Sequence, residues 1–145
     1  MNPHLFYEFG KDSTIKYRFD IVMKNFKEIF SIQPIDFFYL NVRFPNATNN
    51  TNIYPIRKQI LSQNEFSLTF ETEYTELKIS AFRLRRPNTI PYFSYSASHN
   101  NVVVANSING SADGDYANQM LYFRDYSTTA EALSTNNIII QAQNF

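Results

Sequence analysis

Thr14-Ile-Lys-Tyr-Arg-Phe-Asp-Ile-Val-Met-Lys24 decides the fold class of this chain. Ile15, Tyr17, Phe19, Ile21 and Met23 fall on one side of an extended backbone, and Lys16, Arg18, Asp20 and Lys24 on the other, with Val22 alone out of pattern. Successive side chains of a strand point to opposite faces, so five apolar matches at period two predict a strand with one face in a core and one in water.

The same alternation recurs downstream. In 35–44, Phe38, Leu40, Val42 and Phe44 share one face, and Phe37, Tyr39, Asn41 and Arg43 the other. Pro45 ends that strand, because proline has no N–H for a ladder. Phe66, Leu68, Phe70 and Tyr74 alternate with polar residues, as do Leu77, Ile79 and Ala81, which predicts a hairpin turning at Thr75-Glu76. After Ala81 the phase slips by one, so that Phe82 and Leu84 become the apolar pair; a β-bulge produces such a slip. Further strands are expected over about 90–97, 101–108, 119–126 and 137–142. Short helices are expected over 23–31, over 55–63, where Ile56, Ile60 and Leu61 share a helical face, and over 128–134. Two polar segments, 45–52 and 106–118, read as long loops.

Composition supports an all-β reading. The chain has 145 residues, among them 14 Phe, 10 Tyr, 14 Ile and 10 Thr, against 9 Ala and 8 Leu. Aromatic and β-branched side chains suit a pleated surface and lose rotamer freedom in a helix. The expected architecture is a single antiparallel two-sheet sandwich over 1–145, jelly-roll-like, with an Ig-like Greek key as the alternative topology, and with residues 1–12 as an extended arm.

The same numbers exclude several functions. Cysteine is absent, which removes thiol catalysis, cysteine-bound zinc and disulfides. The formal net charge is zero, so a general polyanion binder is not expected. Three glycines cannot supply a Gly-rich phosphate loop. Residues 1–20 carry Glu8, Lys11, Asp12, Lys16, Arg18 and Asp20, which is not the pattern of a signal peptide, and no apolar run approaches a membrane helix.

Candidate chemistry is sparse. His4 and His99 are the two histidines, and no Gly-x-Ser-x-Gly elbow accompanies them. Glu71 and Glu73 share one face of a strand, which is a carboxylate pair in principle and a solvated face in the ordinary case. Asn109, Ser111, Asp113 and Asp115, with Gly114 at the sixth position, match the first half of a calcium loop, but position twelve is Met120 where a bidentate Glu is required. No cofactor is therefore expected. Asn46, Asn49 and Asn109 begin Asn-x-Ser/Thr triplets of the kind an Asn-rich chain forms by chance.

What remains is recognition. Phe37, Tyr39, Arg83, Arg85, Arg86, Tyr92, Phe93 and Tyr95 combine the residue types most enriched at protein interfaces. Apolar residues on both sides of strands, at Phe37 and Tyr39, Val102 to Val104 and Ile138 to Ile140, call for cover from outside the sandwich. The expectation is a non-enzymatic structural protein that self-assembles or packs with other chains in a large particle, by fold-level analogy a virus or phage virion. The alternative is a carbohydrate-binding sandwich with Tyr92, Phe93 and Tyr95 as its platform; nucleic acid and membrane are not expected partners.

Overall fold

A computed structural model describes residues 15–143, with 106–113 described by their backbone only. Among the described residues eleven strands form the body: β1 Tyr17–Lys24, β2 Phe38–Arg43, β3 Thr51–Ile53, β4 Arg57–Ser62, β5 Glu65–Thr72, β6 Glu76–Pro87, β7 Ser94–His99, β8 Val102–Val103, β9 Ala105–Asp113, β10 Tyr116–Thr129 and β11 Ile138–Gln143. Two short helices, α1 (Glu28–Ser31) and α2 (Ala130–Thr135), and a 3-10 turn at Ile35–Phe37 complete it. The strands make two sheets, ordered β4-β5-β1-β11-β7-β8 and β3-β2-β6-β10-β9. The two-sheet β-sandwich is thus the observed architecture.

Alternation in the sequence becomes burial. Phe19, Ile21 and Met23 of β1, Phe66, Leu68 and Phe70 of β5, and Ile138 and Ile140 of β11 face inward from the six-stranded sheet. Phe38, Leu40 and Val42 of β2, Ile79, Phe82 and Leu84 of β6 and Leu121 of β10 meet them from the other sheet. The expected bulge is present: β2 and β10 both shift register opposite Ser80 of β6, which lets Ile79 and Phe82 both turn inward.

Phe26 closes one side of this core. Its ring centroid lies 5.6 Å from Phe30, 6.0 Å from Phe93, 6.3 Å from Phe66 and 6.4 Å from Tyr95, each pair edge-on. Phe66 in turn meets Phe38 of the opposite sheet at 5.8 Å. Edge-to-face rings pack densely and add favourable quadrupole contacts. A polar staple also joins the sheets: the Tyr95 hydroxyl donates to the Gln119 carbonyl at 2.8 Å, and the Gln119 amide donates to the Phe93 carbonyl. Burial raises the Tyr95 phenol well above its ordinary pKa, so it stays a donor.

Several expectations are corrected. Residues 57–62 are strand β4, not a helix; Ile60 and Leu61 are exposed on a sheet edge, so their helical spacing reflects no buried face. β5 and β6 do not form a hairpin. They lie in different sheets, because the chain crosses the sandwich at 73–75, where no Gly or Asn offers a tight turn. Each pairs elsewhere, β5 with β4 and β1, and β6 with β2 and β10. The sheets are not wholly antiparallel either, since β1 runs parallel to β11, with Ile21 opposite Ile138.

The expected loop 106–118 is mostly strand. Tyr116 pairs with Asp113 and Ala117 with Ala112, leaving Gly114-Asp115 as a two-residue turn. Gly114 has φ +65°, which its missing side chain permits. Elsewhere Asn does this work: Asn25, Asn46, Asn100 and Asn101 all have positive φ, so the Asn content supplies left-handed corners in a chain with three glycines. Val102 and Val103 are exposed at 60% and 71% on edge strand β8, so within the chain nothing covers them. Residues 1–12, and His4 with them, lie outside the described residues.

Phe26→Ala removes the ring that four aromatic neighbours enclose. Urea denaturation should show a loss of about 3–5 kcal/mol; a loss below about 1 kcal/mol would mean the cluster closes up without it.

Candidate recognition face

The two outer faces differ. On the six-stranded sheet, β1 turns out Arg18, Asp20, Val22 and Lys24, β11 turns out Ile139, Gln141 and Gln143, and β7 turns out Ser94, Ser96 and Ser98. Ile139 sits between Val22 and Ser98 and is half-buried by them. This face is mostly polar, with Val22 and Ile139 as an adjacent apolar pair on it.

The five-stranded sheet presents a different surface. Its register sets Tyr39 of β2 beside Arg83 of β6, and Arg83 beside Met120 of β10. The Arg83 guanidinium carbon lies 4.3 Å from the Tyr39 ring centre, and Tyr54 packs edge-on against Tyr39 at 5.8 Å. One row along, Arg85 lies 5.0 Å from the ring of Phe37 and 5.3 Å from that of Tyr116, and the two rings meet edge-on at 4.9 Å. Cations held over ring faces gain electrostatic attraction, and the rings restrict the long arginine side chains.

A polar ladder continues the face. The Asn41 amide donates to Asn52 at 2.8 Å, and Asn50 donates to Asn41 at 2.7 Å and to Ser80 at 3.0 Å. Arg43 donates to Asn50 at 3.0 Å. The face is therefore ordered before anything binds it. Tyr54 and Tyr122 are 47% and 44% exposed, so large ring surfaces remain in water.

The predicted interface residues thus divide. Phe37, Tyr39, Arg83 and Arg85 come together on this face. Phe93 and Tyr95 do not; at 8% and 1% exposure they belong to the core, and the carbohydrate platform drawn through Tyr92, Phe93 and Tyr95 is lost. Arg86 points inward from β6, is buried, donates to the Ile90 carbonyl and lies 4.0 Å from the Tyr92 ring. It ties down the 88–93 segment instead of facing a partner. Tyr54, Tyr116 and the Asn ladder were missed in the sequence. Tyr116 was hidden in an expected loop, and Tyr54 joins Tyr39 only through the β2–β3 pairing that sets Leu40 opposite Ile53.

Other candidates acquire plain roles. Glu71 accepts from Arg18 at 2.8 Å and pairs with Lys16 at 3.3 Å, whereas Glu73 lies beyond the end of β5. The hydrogen bonds from Arg18 and Lys16 hold the Glu71 carboxyl below the usual carboxylate range. A general acid needs the opposite shift. His99 has Tyr126 as its aromatic neighbour, at 6.0 Å. Residues 109, 111 and 113 lie along the extended backbone of β9, with a register shift opposite Asn118; their side chains are outside the described ones. Among the described residues, no group of three His, Asp or Glu could hold a metal ion, and no helix is long and apolar enough to cross a membrane. An open groove of about 480 Å³ among Arg43, Phe44, Glu76, Lys78 and Thr128 lies at one end of the sandwich and includes neither Tyr39 nor Arg85.

Compared with known proteins, the chain matches no family model, no curated protein and no solved structure.

Because the folded Glu71 pKa is depressed, its ion pairs contribute stability above the unfolded glutamate value, and that contribution is lost as pH falls through the folded value. Carboxyl carbon NMR should show Glu71 titrating below the usual carboxylate range, and Arg18→Gln should move it back toward that range. An unchanged Glu71 titration in that variant would refute the assignment.

Proposed function

We propose that the protein is a non-enzymatic structural subunit that packs with itself or with other chains in a large particle, and that the outer face of the five-stranded sheet is its contact surface. The observation that carries this reading is the array of Arg83 and Arg85 fixed over Tyr39, Phe37 and Tyr116, with Tyr54 beside it. Tyr and Arg are enriched among the anchors of protein interfaces: tyrosine combines large area with few freedoms to lose, and arginine, where rings already hold it, presents a planar fork of donors. A pre-ordered array lowers the entropy cost of association. A virion is the setting we favour, by analogy with other small cysteine-free sandwiches.

The support has narrowed in one respect. The six-stranded sheet turns serines, glutamines and paired charges to water, so it adds nothing to an argument from buried area. The reading rests on one face. A two-fold axis passing through Arg83 and Arg85 would set like charges against each other. The partner we favour is therefore a different surface, on a second copy or on another chain.

Light scattering after size exclusion tests this over a rising concentration series. The apparent mass should climb above the 17.0 kDa of one chain. The Tyr39→Ala/Tyr54→Ala double variant should return it to one chain, while Ser96→Ala on the polar face should not. Association that survives the double variant would remove the face from the contact. A chain that stays single at every concentration would end the self-assembly reading.

A further inference from the structure

We propose that Arg83 is a receptor for a carboxylate of the docking partner, so that the surface seated on the five-stranded sheet is an acidic one. The inference rests on the reading of that face as a protein contact and adds the partner's chemistry. Its basis is how the guanidinium is held. Tyr39 supports one face of it at 4.3 Å, and a terminal N–H donates to the Asp36 carbonyl at 2.9 Å. The Nε–H is enclosed and has no acceptor. Of the five N–H groups of an arginine, the remaining three are on the two terminal nitrogens, where a carboxylate can accept end-on.

No carboxylate touches the guanidinium. Among the described residues the ion pairs are Lys16–Glu71, Arg18–Glu71 and Lys78–Asp125, and none includes Arg83; Asp36 favours the charge from a distance but gives it only its backbone carbonyl. Partial burial outweighs that help and pulls the Arg83 pKa below the ordinary arginine value, which is the mark of a cation stripped of some water. A partly desolvated, immobilised cation outside any contact ion pair is poised to gain from a charge-assisted bond with a partner. Tyr54, exposed beside it, would shelter that bond from water. The rim of rings favours a side-chain carboxylate with apolar neighbours over a bare polyanion, and the zero net charge of the chain gives no long-range pull on nucleic acid.

The test uses the full chain with arginines labelled in the guanidinium group. Acetate, and separately inorganic phosphate, are titrated at constant ionic strength, with Arg57 and Arg124 as exposed references within the molecule. The Arg83 resonances should saturate with acetate at about tenfold lower concentration than any response of the references. Arg83 tracking Arg57 and Arg124 would overturn the inference even where Tyr39→Ala/Tyr54→Ala abolishes association, so the docking reading would survive it. Saturation at Arg83 with association untouched by the double variant would leave an anion receptor and remove the docking reading. Phosphate acting about tenfold more strongly than acetate would overturn the carboxylate assignment in favour of a nucleic-acid backbone.

Discussion

The enclosure of the Phe26 ring is the contact on which the rest of the structure depends. Phe26 follows β1 directly, after Asn25 has turned the chain through a left-handed conformation at φ 66°. The ring then reaches Phe66 on β5 and Tyr95 on β7, strands separated in the sheet by β1 and β11. It also holds Phe30 of α1 against Phe93. A single ring thus spans the width of the two intervening strands. Close packing makes such a ring worth several kcal/mol, which is comparable to the net stability of a small domain.

A second constraint runs across the sandwich. Gln119 is fully buried, and its backbone carbonyl and side-chain amide each bond to the 93–95 segment of the other sheet. Buried polar groups must find partners, so this pairing permits few relative positions of β7 and β10. With β10 fixed, β6 and β2 follow by register, and Arg83 is delivered to Tyr39. The order of the recognition face is in this sense inherited from the core behind it.

Three of the four sheet edges, β4, β8 and β3, carry features that discourage pairing. β4 carries Lys58, whose ammonium donates to the Gln33 carbonyl, and a bulge between Ile60 and Ser62. β3 and β8 are three and two residues long. Charges, bulges and short strands all discourage edge-to-edge pairing.

Much of this was determined by the sequence alone. Period-two alternation in β1, β2, β5 and β6 assigns core and solvent faces, because side-chain direction follows from local backbone geometry. The slip after Ala81 likewise marks the Ser80 bulge. Asp113-Gly114 marks a real turn. Strand partners were decided only by the tertiary structure. That Thr75 carries the chain to the opposite sheet, that β4 is an edge strand, and that β1 lies parallel to β11 depend on where distant segments can bury their inward faces. The same holds for the candidate site: Tyr39 and Arg83 were legible as residue types, but Tyr54 and Tyr116 join them through cross-strand register, and Phe93 and Tyr95 leave the surface because the core has room for their rings. Alternation is a property of neighbours along the chain, whereas pairing is a competition among all strands for the same buried space.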